Sequence, residues 1–166
     1  MIERLWAGWR TDYVGGREPV PAGEGSLFER IFSSGLPDEQ TFMLWRGERS
    51  AALLNAYPYT TGHVLVLPLR AVEQLDELTD DEANELWLGV RLAVKAVRAA
   101  YQPDGVNVGA NLGKAAGAGI PEHLHVHVVP RWFGDTNFTT SIAETRVLPE
   151  SLATTWTKLG HSWPNG

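Results

Sequence analysis

The sequence contains the run His123-Leu124-His125-Val126-His127-Val128-Val129, in which histidine alternates with leucine or valine. Side chains on a β-strand point alternately to opposite faces, so the three histidines would share one face and the apolar residues the other. An apolar face of this kind packs against a core. The run therefore predicts a strand that is buried on one side and presents a row of imidazoles on the other.

A row of imidazoles suits the chemistry of phosphoryl groups. Imidazole has an unperturbed pKa of about 6.5, so one ring can attack phosphorus while a neighbour holds phosphate oxygens or protonates the leaving oxygen. Two other interpretations stay open: alternating polar residues on a half-exposed strand, and a metal site combining a His-x-His pair with His63 or Asp135. Successive histidines would lie about 6.5–7 Å apart, so one ion cannot easily reach all three. Catalysis carries more weight, because three of the five histidines fall in this run.

Further apolar runs, bounded by Gly, Asn or Pro, predict the neighbouring strands. They are Thr41–Arg46, Ala51–Leu54, Val64–Leu67 and Gly105–Leu112. A long helix is predicted from Thr79, which forms a capping box with Glu82 and precedes apolar residues at helical spacing, namely Leu86, Val90, Val94, Val97 and Tyr101.

Shorter helices are predicted towards both ends of the chain. Ser26 and Glu29 form a second capping box, for a helix that reaches about Phe32. The tail from Pro149 to about Leu159 would be a helix carrying Trp156. Strands, a long helix and more strands together indicate the α+β class with an antiparallel sheet.

Length and composition indicate one globular domain of 166 residues, with an N-terminal arm and loop over 1–25 and a C-terminal tail over 149–166. With no cysteine, disulfides and thiolate metal sites are excluded. The net charge of −6 argues against general binding to nucleic-acid backbones. No apolar run approaches the roughly 20 residues of a membrane span, and no signal peptide is evident, so we expect a cytoplasmic protein that binds no membrane.

Several separate motifs occur in an order that resembles the histidine triad (HIT) family of nucleotide hydrolases and transferases. Leu27-Phe28 with Ile31 comes first, Leu53-Leu54-Asn55 follows, then the run from Pro58 to Pro68 with Gly62-His63, the long helix and the histidine run. The resemblance implies a HIT-like fold, in which an antiparallel sheet of about five strands packs with one long helix and short terminal helices.

The same resemblance implies roles for the histidines. His125, in the middle of the run, would be the nucleophile, and His127 would contact the phosphate and the bridging oxygen. His123 and His63 would complete the hydrogen-bonded set that orients the nucleophile. Without the resemblance, His63 would be interpreted as a histidine at the end of a strand.

Nucleotide contacts are also implied by the resemblance. Asn55 would hold the ribose hydroxyls, and an amide can indeed both donate to and accept from a diol, although a turn residue after a strand is the competing interpretation. The walls around the base would be Leu27, Phe28, Ile31 and Leu53, residues that are otherwise ordinary core.

Phosphate contacts would come from the loop before the histidine run, whose backbone N–H groups are open to anions. These residues are Gly117, Ala118 and Gly119; loop flexibility is the competing explanation. Asn111 and Trp132, with the run from Pro130 to Phe138, resemble the branch that includes bacterial diadenosine tetraphosphate phosphorylases, where both would contact the polyphosphate. A tryptophan is more often core or interface than ligand.

Two positions depart from the family pattern. Gly119 stands where many relatives carry Ser or Thr, which leaves the acceptor of the second step open. Ser26 and Glu29 stand where many relatives carry a zinc-binding Cys-x-x-Cys pair, so we expect no bound metal.

The resemblance therefore predicts a covalent nucleotidyl-histidine, with phosphorolysis of diadenosine tetraphosphate to ADP and ATP favoured and inorganic phosphate as second substrate. The alternatives are hydrolysis of dinucleoside polyphosphates or nucleoside phosphoramidates and, in another class, a nucleotide-binding sensor. No cofactor would be tightly bound, although a divalent cation could accompany the polyphosphate. A homodimer is implied, with Trp87, Leu88 and Val90 as candidates for its interface.

Overall fold

The computed structural model describes residues 3–6, 23–136 and 145–164, so most of the predicted N-terminal arm lies outside the described residues. Two parallel strands, β1 (Glu3–Trp6) and β7 (Thr145–Leu148), bring the two ends of the chain together. The central sheet has five strands, paired antiparallel in the order β2-β3-β4-β6-β5. They are β2 (Met43–Arg46), β3 (Ser50–Leu54), β4 (Val64–Pro68), β5 (Gly105–Ala110) and β6 (Val126–Arg131). The predicted class and sheet are confirmed.

The hydrogen-bonded part of β6 begins at Val126, three residues later than the sequence indicated. Before it, the amide of Leu124 donates to the carbonyl of Val72 at 2.6 Å instead of to a neighbouring strand. The carbonyl of Pro68, at the end of β4, bonds the ring of His123 at 2.8 Å. The backbone ladder therefore stops early, while the predicted alternation of faces is kept: Leu124 and Val126 enter the core opposite the histidines.

The long helix α3 (Asp80–Tyr101) begins and ends where local chemistry dictates. Thr79 caps its first turn, and Glu82 completes the capping box. At the other end Gln102 adopts a left-handed conformation, with φ of 45°, directly before Pro103. The predicted helix is confirmed, and its apolar side covers one face of the sheet.

Besides two 3₁₀ turns, Leu75–Glu77 and Lys114–Ala116, the described chain has three shorter α-helices. They are α1 (Leu27–Ser33), α2 (Asp38–Thr41) and α4 (Leu152–Ser162). Ser26 caps α1 in the predicted capping box, and Trp156 of α4 donates its indole N–H to the carbonyl of Met43 at 2.7 Å. Helices α3 and α4 pack on one face of the sheet, while α1 packs on the other with Leu53, Leu65 and Leu67. The histidines share this second face.

One predicted interface residue lies in the core. Val90 is buried on the side of α3 that faces the sheet, because it continues the same apolar stripe as Leu86 and Val97. Its assignment to an intersubunit surface was wrong. Trp87 and Leu88 project away from the core and are about half exposed, at 50% and 45%. Within the described chain, no helix has the length and apolar character needed to span a membrane.

Gly89 allows the close approach between α3 and the sheet. A Cβ atom at this position would lie 2.8 Å from the ring of Trp45 and 2.9 Å from a methyl group of Val66. Both distances are shorter than van der Waals contact, so any side chain here would push the helix away from the sheet or force these residues to move.

We expect Gly89→Ala to lower the free energy of unfolding by about 1–3 kcal/mol, because the cost of overpacking exceeds the gain in helix propensity. Gly160→Ala in α4 is the matched control. Its added methyl would meet nothing within 4 Å among the described residues, so it should stabilise by up to about 1 kcal/mol. Urea unfolding of both variants measures the difference. A stabilised Gly89→Ala would contradict the close contact.

Candidate active site

Four buried histidines gather on the face of the sheet that carries α1. His123 and His125 come from the residues just before β6, His127 lies at the start of that strand, and His63 directly precedes β4. The ring centroids of His125 and His127 lie 5.0 Å apart, and those of His63 and His127 lie 5.1 Å apart. The structure therefore brings together all four histidines that the sequence singled out.

A single hydrogen bond determines which nitrogen of His125 can react. Its Nδ1 lies 2.8 Å from the backbone carbonyl of His123. A carbonyl can only accept, so Nδ1 carries the proton and Nε2 of the neutral ring keeps its lone pair. Nε2 is then the nitrogen that can act as an acceptor or a nucleophile, and His123 orients the ring of His125 through its backbone instead of its own ring.

Both ring nitrogens of His123 are engaged elsewhere. Its Nε2 donates to the carbonyl of Pro68, and its Nδ1 accepts from the hydroxyl of Ser26 at 2.6 Å. Burial lowers the pKa of His123, because the charged form would lose its hydration. His123 is thus a neutral, fully buried ring that fixes the segment leading to His125.

His127 and His63 form a chain with defined proton positions. The amide of Tyr59 donates to Nδ1 of His63 at 3.0 Å, so this nitrogen is an acceptor and the proton of the neutral ring sits on Nε2. That Nε2 lies 2.9 Å from Nδ1 of His127, which must therefore accept. The remaining proton of neutral His127 is on its own Nε2, a buried atom with no hydrogen-bond partner among the described residues.

Burial keeps His127 uncharged at neutral pH. Burial, together with the nearby ring of His125, lowers the pKa of His127 to about 4. The Nε2–H group of His127 is consequently a neutral donor held next to His125. Such a donor can stabilise an oxygen on which negative charge develops.

An apolar cavity of about 640 Å³ opens beside His125 and His127. The predicted base-wall residues Leu27, Phe28, Ile31 and Leu53 all line it, together with Asn55. Leu36, Leu65 and Ile120 also line it but were missed by the sequence analysis. Leu65 reads as ordinary strand core, and only the pairing with His127 across β4 and β6 places it at the site.

Asn55 makes the turn contact that the sequence left open and also lies at the apolar cavity. Its Oδ1 accepts from the amide of Tyr57 at 2.9 Å, which is a turn contact, and its Nδ2 lies 3.4 Å from Nδ1 of His63. Asn55 therefore shapes the turn after β3 while it also lines the apolar cavity.

The predicted phosphate contacts are divided between two places. Gly117 and Gly119 line the apolar cavity, whereas Asn111 lines a second cavity of about 520 Å³. We call it the polar cavity after its polar side chains, which include Asn107, Asn111, Arg131, Asp135 and Thr136. Ala118 is not among the lining residues of either cavity in the described chain. At Gly119 a Cβ atom would meet nothing within 4 Å among the described residues, so the missing hydroxyl does not reflect a lack of space.

Trp132 lies away from both cavities in the described chain. Its side chain packs edge-to-face on Tyr101 of α3, at 6.4 Å between centroids. Side chains alternate along β6, so Arg131 lies on the histidine side of the sheet. The next residue, Trp132, points to the opposite side, which carries α3. The position of this ring gives no support within the chain to a role as phosphate ligand.

The described residues do not fit a zinc site at the place of the Cys-x-x-Cys pair. They contain no group of three or more His, Asp or Glu side chains that could hold a metal ion. Ser26 bonds the ring of His123, and the carboxylate of Glu29 bonds the amides of Ser26 and Ala71. Asp135, the other candidate ligand, is held by Arg131.

Known proteins resemble this chain in sequence and structure. Residues 37–134 match the family model described as the HIT domain. An AP-4-A phosphorylase of Mycobacterium tuberculosis is 41% identical over 168 residues, covering 98% of this chain and 85% of that protein.

Two further similarities cover less of the chain. An asymmetrical bis(5'-nucleosyl)-tetraphosphatase of Schizosaccharomyces pombe is 38% identical over 54% of this chain and 48% of its own length. The crystal structure of a hypothetical histidine triad nucleotide-binding protein from Sulfolobus tokodaii superposes with a TM-score of 0.66 at 30% identity, covering 81% of this chain and 89% of that one.

The lowered pKa of His127 predicts a pH dependence of stability. The unfolded chain binds a proton at this histidine below about pH 6.5, whereas the folded protein binds it only below about pH 4. The unfolded state holds more protons in this window, so stability falls as pH falls from about 6.5 to about 4, by up to about 3 kcal/mol for this group.

His127→Gln should remove this contribution, since the amide oxygen of Gln can still accept from His63 and does not titrate. Urea unfolding of wild type and variant at several pH values between 4 and 7 isolates the difference from the carboxylates that both proteins share. Parallel stability profiles for the two proteins would rule out a neutral, buried His127.

Proposed function

The chain belongs to the HIT domain family, and on that premise we propose that it transfers a nucleotidyl group through a covalent nucleotidyl-histidine. The observation that carries this proposal is the pair of defined protonation states at neighbouring rings. His125 presents a lone pair at Nε2, while His127 presents an N–H donor. One nucleophile and one donor are what displacement at phosphorus requires.

In the first step, Nε2 of His125 attacks the α-phosphorus of a dinucleoside polyphosphate. A phosphorus–nitrogen bond forms as the bond to the bridging oxygen breaks, and the departing nucleotide keeps the electron pair. The Nε2–H of His127 hydrogen bonds the oxygen that gains charge. His63 holds His127 in the tautomer that can donate.

In the second step, the acceptor attacks the same phosphorus and restores His125. Inorganic phosphate gives a nucleoside diphosphate, and water gives a nucleoside monophosphate. We favour phosphorolysis of diadenosine tetraphosphate to ADP and ATP, supported by the identity of 41% to an AP-4-A phosphorylase over 98% of the chain.

Hydrolysis of dinucleoside polyphosphates is the second candidate. It is supported by the similarity of about half the chain to a tetraphosphatase and by Gly119, which supplies no hydroxyl to hold inorganic phosphate. Nucleoside phosphoramidates are a further substrate class for the same nucleophile. A divalent cation could bind with the polyphosphate as a counter-ion, and the protein is proposed to act in the cytoplasm.

We expect purified protein to convert diadenosine tetraphosphate to ADP and ATP only when inorganic phosphate is present, as measured by anion-exchange separation of the products. His125→Ala should lower turnover about a thousandfold or more, because it removes the nucleophile. His161→Ala, which removes an exposed histidine of α4, is the matched control and should retain full activity.

The products distinguish the alternatives. AMP and ATP in both reactions would make the protein a hydrolase. Full turnover by His125→Ala would exclude the covalent mechanism. Nucleotide binding without turnover of either dinucleoside polyphosphates or nucleoside phosphoramidates would favour the nucleotide-binding sensor.

We also propose a homodimer that buries Trp87 and Leu88, two large apolar side chains that α3 exposes. Exposed apolar residues side by side commonly mark an interface. Trp87→Glu with Leu88→Glu should convert the dimer to a monomer in sedimentation equilibrium. The two carboxylates of each protomer would otherwise be buried, without a counter-charge, in the interface with its partner. Leu75→Glu, which changes an exposed leucine outside α3, should leave the mass unchanged. A wild-type monomer would contradict the proposal.

A further inference from the structure

The polar cavity owes its space to a glycine directly opposite the catalytic ring. Gly109 of β5 pairs with His127 of β6, and cross-strand partners carry their side chains on the same face. At Gly109 a Cβ atom would meet nothing within 4 Å among the described residues. The missing side chain leaves open the room beside His127 on the β5 side.

Hydrogen-bond donors line the polar cavity, but the positive charge of its arginine is neutralised by a neighbouring carboxylate. The guanidinium of Arg131 donates from Nε and Nη2 to both carboxylate oxygens of Asp135, at 2.6 and 2.7 Å. Its Nη1 donates to Oδ1 of Asn107 at 2.8 Å. An arginine has donors only, so the oxygen of Asn107 must face it and the two N–H donors of the amide must face elsewhere.

The pairing of Arg131 with Asp135 makes the polar cavity better suited to a neutral ligand than to a highly charged one. A bare polyphosphate is best held by cations whose charge is not already paired, and the charge of Arg131 is paired with Asp135. Oriented amide donors, such as the N–H groups of Asn107, suit a neutral ligand that is rich in acceptors, such as a ribose and a purine. Asn107, Asn111 and Thr136 line the cavity, which at about 520 Å³ falls within the usual range of small-molecule sites, about 300–1,000 Å³.

The two cavities meet at the catalytic histidine. His127 and Tyr59 line both of them, and the ring of Tyr59 stacks on that of His127 at 5.4 Å with an angle of 19° between the planes. A ligand whose central phosphates pass His127 can therefore place one end in the apolar cavity and the other end in the polar cavity.

We propose that the polar cavity opened by Gly109 binds the nucleoside of the departing nucleotide of a dinucleoside polyphosphate. The apolar cavity binds the nucleoside of the nucleotidyl group that is transferred to His125. This inference rests on the proposed function. It makes the protein selective for substrates with a nucleoside at each end of the phosphate chain.

The test compares kcat/KM for diadenosine tetraphosphate and adenosine 5'-tetraphosphate, which has the same phosphate chain and one nucleoside. Gly109→Val fills the cavity with a side chain that strands favour. We expect this variant to lower the ratio of kcat/KM for diadenosine tetraphosphate to kcat/KM for adenosine 5'-tetraphosphate about tenfold. Gly105→Val is the matched control: the position lies on the same face of β5 with open space at Cβ, is not among the residues that line the cavity, and should leave the ratio unchanged.

A second pair of variants tests the donors. Asn107→Ala should also lower the ratio, whereas Asn84→Ala, at an exposed position on α3, should not. An equal fall in kcat/KM for both substrates would mean that the cavity only supports His127, and unchanged kcat/KM values for both would mean that nothing binds there. Either result overturns the proposal.

Binding separates this proposal from the proposed function. In protein carrying His125→Ala, calorimetric titration should show diadenosine tetraphosphate binding about tenfold more weakly when Gly109→Val is added, with AMP affected much less. If wild type turns over neither substrate, the proposed function fails, and this titration alone decides the subsite. Equal affinities with and without Gly109→Val would overturn it, as would a loss of inorganic phosphate binding in place of dinucleotide binding.

Discussion

The hydrogen bond from Nδ1 of His125 to the carbonyl of His123 is the interaction on which the chemistry of this site depends. It fixes the proton on Nδ1 and so leaves the lone pair on Nε2, the nitrogen that the proposed mechanism uses as the nucleophile. The carbonyl can take this position because the ring of His123 is held on both sides, by Ser26 and by the carbonyl of Pro68. The buried ring of His123 thereby fixes the position of its own carbonyl, which in turn orients the ring of His125.

A second chain of hydrogen bonds gives His127 the complementary property. Starting from the amide of Tyr59, it passes through His63 and ends at a buried N–H group of His127, beside the ring of His125. Burial prevents the ring from becoming charged at neutral pH. Two rings of the same chemical type therefore take opposite roles, since each is bonded through its Nδ1 to a different kind of partner.

Glycine positions shape the space around this machinery. Gly89 lets α3 approach the sheet closely enough to bury its apolar stripe, and Gly109 leaves room beside His127. The lack of a Cβ atom allows dense packing at Gly89 on one face of the sheet and leaves an open cavity at Gly109 on the other. The difference lies in the neighbours, because the rings and methyl groups near Gly89 close the space that remains open near Gly109.

The sequence by itself determined the alternation of faces along β6, the capped start of α3 and four walls of the apolar cavity, Leu27, Phe28, Ile31 and Leu53, because these follow from local periodicity and the order of motifs. Only the tertiary structure decided the tautomers, the burial of Val90 and the packing of Trp132 on Tyr101. Strand and helix periods assign a side chain to a face, but its partners come from residues distant in the chain. The carbonyl of Pro68 and the hydroxyl of Ser26, 55 and 97 residues from His123, are such partners.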